Sequence, residues 1–178
     1  MVPYRKDDPN IMSDSVPKGM PEELYCGWPE VTVNLNGKAD ESFIMYYSTM
    51  LLDDKQKCIG TAVSQDGFRW VKKGICLMPD AESLDDAGCA RCCVTRNAVF
   101  DENVLSWSEA RGFIMFYEGV SSEDNKHRIM KATSKDGFTW EKEGLALDIG
   151  SDEDSWDHGG VGSPHVLRYV RYSSQKFL

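Results

Sequence analysis

The chain has 178 residues, 41% apolar and 28% charged, with a formal net charge of -9. That balance belongs to a globular chain rather than a disordered one, and the acidic excess excludes broad phosphate-backbone binding, so no nucleic-acid partner is expected. No apolar run approaches the roughly 18 residues of a membrane span, and the start MVPYRKDDPN lacks an apolar secretory core, which points to an intracellular location with no membrane partner.

Residues 1–24 read as an irregular segment, followed by Gly27-Trp28-Pro29-Glu30-Val31, a short motif leading into a strand. Phe43 to Tyr47 (FIMYY) is rich in aromatic and branched residues and predicts a largely buried strand. The polar stretch Leu52 to Lys57 predicts a hairpin loop, and Cys58 to Ser64 a second strand. Asp66-Gly67 predicts a tight turn, because Gly accepts the positive φ such turns demand. Phe68 to Lys72 then predicts a third strand ended by Gly74.

The same order returns 70 residues later. Phe43 to Gly74 and Phe113 to Gly144 align without a gap over 32 positions, 14 of them identical. Strands are therefore expected at Phe113 to Glu118, Ile129 to Ser134 and Phe138 to Lys142, with a turn at Asp136-Gly137. Between the copies, Ser83-Leu84-Asp85 with Gly88, Val94 and Arg96 matches Ser155-Trp156-Asp157 with Gly160, Val166 and Arg168 at an offset of 72. Gly162-Ser163-Pro164-His165-Val166 repeats the first short motif, and Ala90-Arg91-Cys92-Cys93-Val94 is its degraded middle copy. Each unit thus holds about four antiparallel strands, and no stretch shows capped helical periodicity. The expected fold class is all-β, built of β-propeller blades. Units are expected at about 25–80 and 85–150, with the start of a further one at 155–178.

Of the six cysteines, Cys89, Cys92 and Cys93 have half of a zinc spacing, but no second ligand pair accompanies them. Reduced thiols packed on strands are the expectation, with no metal and no cofactor.

The bodies Phe43 to Gly74 and Phe113 to Gly144, with SWDHGGVGSP at Ser155 to Pro164, resemble the five-bladed propellers of the arabinanase, levansucrase and invertase superfamily of glycoside hydrolases. The resemblance covers roughly residues 25 to 168 and implies a sugar-binding funnel lined by the first strand of each blade. It implies a carbohydrate ligand, and glycosidase chemistry if the chain is active. In several members of that superfamily an Asp precedes the Pro of an inner-strand motif. The matching positions here hold Trp28, Arg91 and Ser163, which favours a noncatalytic propeller binding carbohydrate or a protein.

Glycoside hydrolysis needs two carboxyl groups across the scissile bond. Glu118 breaks the repeat, standing where the first copy has Ser48, and is the leading catalytic candidate. Asp85 and Asp157 recur in register, so they read either as funnel-rim carboxylates or as loop caps. Trp28, Glu30, Arg91 and His165 are candidate substrate-binding residues, Arg91 through its forked donors and Trp28 through stacking. Arg96 and Arg168 recur and are expected in structural salt bridges. The Ser-x-Asp-Gly-x-x-Trp elements at Ser64 to Trp70 and Ser134 to Trp140 read as scaffold, because turn chemistry explains each member. Only about two and a half units are present, so the chain reads as a partial ring: a fragment or truncated product, or one open to self-association through unpaired blade edges.

Overall fold

A computed structural model describes residues 20–34, 37–38, 40–97, 100–101, 106–107 and 112–167. The described residues contain ten strands and no helix, so none is long and apolar enough to cross a membrane. In chain order they are β1 (Glu23–Val33), β2 (Phe43–Leu51), β3 (Lys57–Ser64), β4 (Val71–Leu77), β5 (Gly88–Arg96), β6 (Phe100–Asp101), β7 (Ser106–Trp107), β8 (Phe113–Val120), β9 (His127–Ser134) and β10 (Glu141–Leu147). The fold is all-β. Most of the segment 1–24, and Arg168 with all that follows it, lie outside the described residues.

β1 to β4 pair in succession as one antiparallel meander. β5, β8, β9 and β10 make a second, and the β6–β7 hairpin is inserted between β5 and β8. A single parallel pairing, Lys57 with Gly88, joins the meanders into one mostly open eight-stranded sheet.

The third strand of each unit begins later than its sequence suggests. Phe68 and Trp70 precede β4, which starts at Val71. Asp66 Oδ1 accepts the Phe68 and Arg69 amides at 2.8 and 2.9 Å, and Ser64 Oγ accepts the Gly67 amide at 2.9 Å. Those amides are consumed by the loop and cannot join a ladder. Asp136 and Ser134 do the same for Phe138, Thr139 and Gly137. Gly74 does not end its strand either; it and Gly144 sit inside β4 and β10, at register shifts, with φ of 118° and 92°. Residues 155–167, read as opening a further strand, form turns and irregular backbone.

The core lies between the meanders. Ile44 and Tyr46 of β2, with Val63 and Leu77, are buried against Cys89, Cys92 and Val94 of β5 and against Phe113, Met115 and Tyr117 of β8. Alternate residues of a strand face opposite sides, so β2 meets the second meander with its even positions and β8 meets the first with its odd ones. Tyr46 donates its hydroxyl to the Gly137 carbonyl at 2.8 Å and packs edge-on against Trp140. Trp140 therefore joins the units, as its scaffold reading predicts. Arg96 reaches the Val33 carbonyl and lies over the Phe113 ring at 4.2 Å, a junction role, with no salt bridge to it among the described residues. All six cysteines are free, and burial pushes the Cys58 thiol up to about 12.

Candidate functional site

Residues of β1, β2 and β3 and of β5, β8 and β9 frame a groove of about 300 Å³, lined by Tyr25, Trp28, Met50, Lys57, Ala90, Arg91, Glu118, Val120 and His127. Backbone geometry places its main side chains. Trp28, Arg91 and Ser163, equivalent positions of the three short motifs, have φ of 47°, 42° and 51°. Left-handed backbone is uncommon for residues other than Gly, and it concentrates at functional sites. At Trp28 and Arg91 it coincides with register shifts in β1 and β5 that turn the side chain out of the strand's alternation.

Each unit also holds the left-handed residue of the next. Ser48 Oγ accepts the Arg91 amide at 2.7 Å, and Glu118 Oε2 accepts the Ser163 amide at 3.0 Å. Glu118 thus performs the task of its repeat partner Ser48 and has carboxylate capacity left over. Arg91 Nη1 donates to both of its oxygens at 3.2 Å, and His127 Nδ1 donates to Oε1 at 2.7 Å. Because a carboxylate only accepts, this contact makes Nδ1 the protonated ring nitrogen. The Glu118 residue is 2% exposed, whereas the Arg91 and His127 side chains are 37% and 39% exposed. The acid is sealed in, and its two nitrogen-bearing partners face the groove.

Arg91 is held on its other side by Trp28, whose ring lies 4.8 Å from the guanidinium carbon. Trp28 meets Tyr25 edge-on at 6.3 Å and is itself 55% exposed. Burial raises the Tyr25 phenol, the Cys58 thiol adds to that, and Arg91 opposes it. The result is an open aromatic face beside a buried, fully bonded carboxylate.

The other sequence candidates lie elsewhere. Asp85 is completely buried between the meanders, accepting from Tyr117 Oη at 2.8 Å and Lys142 Nζ at 2.5 Å. It neither lines the groove nor caps a loop; burial first, then Asp85, pushes the Tyr117 phenol up. Asp157 sits half-buried in the loop before residue 160, its carboxylate against Gly150. Glu30 and His165 form a second row with Cys93, again equivalent positions of the three motifs. His165 Nδ1 is 3.9 Å from Cys93 Sγ. Burial raises the Cys93 thiol, the Val166 amide lowers it and Glu30 raises it again. No group of metal-ligating residues occurs among the described residues.

Lys57, His127 and Tyr25 were missed in the sequence. Lys57 and His127 carried a usable signal: they occupy equivalent repeat positions, and both line the groove.

No protein-family model matches the chain. The uncharacterized protein MT1551 of Mycobacterium tuberculosis is 29% identical over 146 residues, which span 76% of this chain and 44% of that protein. The uncharacterized protein Rv1502 of the same species is 28% identical over the same spans. The chain therefore spans less than half the length of these relatives. Among solved structures, a glycosyl hydrolase from Bacteroides ovatus aligns with a TM-score of 0.50 at 20% identity, covering 75% of this chain and 35% of that one. A structure from the GH130 family of mannoside phosphorylases, described as containing glycoside hydrolases that target β-1,2 mannosidic linkages in Candida mannan, gives 0.51 at 19% identity, covering 75% and 34%. BT0996, solved as a complex with RGII, gives 0.54 at 18% identity, covering 82% and 39%. The fold is glycoside-hydrolase-like, and at these identities the likeness is one of fold.

Proposed function

We propose that this chain forms part of a β-propeller of the five-bladed glycoside-hydrolase type, each meander being one four-stranded blade, and that the Trp28–Arg91–Glu118 groove binds carbohydrate. One observation carries the reading. Two equivalent positions in strained left-handed backbone, Trp28 and Arg91, line one groove and present an exposed aromatic ring beside charged and hydrogen-bonding groups, and the third, Ser163, is tied to it through its amide on Glu118. A sugar face stacks on an aromatic ring while its hydroxyls take up such groups. A fold neighbour solved as a complex with RGII, a carbohydrate, agrees with this ligand class.

Binding is favoured over hydrolysis. Glycosidases work with two carboxyl groups, and among the described residues the groove lining offers Glu118 alone. That carboxylate already accepts from Arg91, His127 and the Ser163 amide, an arrangement that holds structure and orients Arg91. Titration calorimetry against a panel of oligosaccharides, including mannosides, arabinans and fructans, tests the reading. At least one should bind saturably, and Trp28→Ala should weaken it about three- to tenfold, the worth of one stacking contact. A panel with no binder, or a Trp28→Ala variant of unchanged affinity, refutes it.

A further inference from the structure

The two units carry the same side chains on the same face, yet one copy of that face is covered and the other is open. In the second unit, Phe113 and Met115 are 1% and 0% exposed, and Gly137 is buried beside Tyr46 Oη, Ile44 Cδ1 and Phe113 Cε2. In the first unit the equivalent Phe43 and Met45 are half-buried, and Gly67 has no atom within 4 Å of the place a Cβ would take. Phe68 is 89% exposed, whereas its counterpart Phe138 packs against the core. A groove of about 230 Å³ opens on this face, lined by Cys26, Pro29, Met45, Tyr47, Trp70 and Lys72.

The far face of the second unit shows the converse. Ile44, Tyr46 and Leu77 of the first unit, which cover the second, are 0%, 0% and 4% exposed. Their counterparts Ile114 and Phe116 are half-buried and Leu147 is 56% exposed. Each copy therefore bears one half of its internal junction at one end and, at the other, a partial copy of the second half, in which Lys131 and Thr133 stand where Thr61 and Val63 are buried. Apolar patches of this kind mark interaction sites.

We propose that the Met45–Trp70 face of one molecule docks on the Phe116–Leu147 face of a second copy of this chain, head to tail, reproducing the junction made by Tyr46 and Trp140 inside each molecule. The contact is heterologous, so it propagates or closes instead of stopping at a two-fold dimer. The missing hydroxyl at Phe116 makes it weaker than the internal junction, because the Tyr46 bond to Gly137 has no equivalent there.

Sedimentation velocity of the full chain over a dilution series, with two surface variants, tests this. Wild type should exceed its 20.1 kDa monomer mass as concentration rises. Phe68→Lys disables one face and Leu147→Lys the other, so each alone should stay monomeric. Mixed in equal amounts, the two should form a discrete dimer, because each variant keeps the face its partner needs. Circular dichroism confirms folding; should either variant lose its spectrum, Trp70→Ala and Phe116→Ala, which truncate one side chain of each docking face, replace them. A wild type that stays monomeric overturns the proposal. So do variants that associate alone, or a mixture that remains monomeric while wild type associates.

Discussion

Gly67 and Gly137 occupy one repeat position, and the same substitution at each isolates what the junction contributes. Their φ values are 77° and 84°, so an added Cβ meets the same backbone strain, about 1–2 kcal/mol at either site. Space separates them. A Cβ on Gly67 enters open solvent, whereas one on Gly137 lies 2.9 Å from Tyr46 Oη, 3.0 Å from Ile44 Cδ1 and 3.1 Å from Phe113 Cε2. Three neighbours from a packed core must give way, which costs about 1–3 kcal/mol more. Gly137→Ala should therefore exceed Gly67→Ala by about 1–3 kcal/mol, equivalent to about 2–12 °C in Tm for a protein of this size. Urea unfolding at low protein concentration, followed by tryptophan fluorescence, supplies both values. Equal costs would refute the argument that the meanders are locked at the Tyr46–Gly137 contact.

Two further outcomes follow from the site and its surroundings. Asp85→Asn should cost about 3–5 kcal/mol, because it strands Lys142 beside a buried amide; Asp157→Asn, at the equivalent but half-exposed position, should cost under about 1 kcal/mol by the same urea assay. Acid should destabilise the protein partly through Asp124, whose carboxyl the Arg128 guanidinium holds well below its ordinary value of 3.8. A depressed carboxylate contributes stability that is present above the unfolded value and is lost as pH falls through the folded one. Wild-type urea midpoints should therefore drop below about pH 3.8, and Asp124→Asn should flatten that drop; parallel profiles would exclude the pair.

The strand starts at Phe43 and Phe113 were legible because aromatic and branched residues there are needed for burial on two faces. The starts of β4 and β10 were not, because Asp66 and Asp136 divert local amides into a loop, an event of hydrogen bonding rather than periodicity. Glu118 was conspicuous as the residue that breaks the repeat, but its bond to the Ser163 amide depends on how consecutive units meet. Asp85 and Asp157 look identical in sequence and differ because only Asp85 has Tyr117 and Lys142 packed over it. His127 stayed hidden because its equivalent, Lys57, shares a position and a nitrogen at its tip without sharing a side-chain shape.

The left-handed positions of the short motifs have an evolutionary consequence. Trp, Arg and Ser occupy one backbone geometry at Trp28, Arg91 and Ser163, and at two of them a neighbouring unit grips the main-chain amide instead of the side chain. The position works as a socket: what it displays can be exchanged without rebuilding the strand that carries it. Residues branched at Cβ are shut out by the positive φ, while Asn, Asp and Gly enter most readily. Evolvability of the groove is thereby uncoupled from the stability of the scaffold, and diversity among related proteins should collect at these sockets.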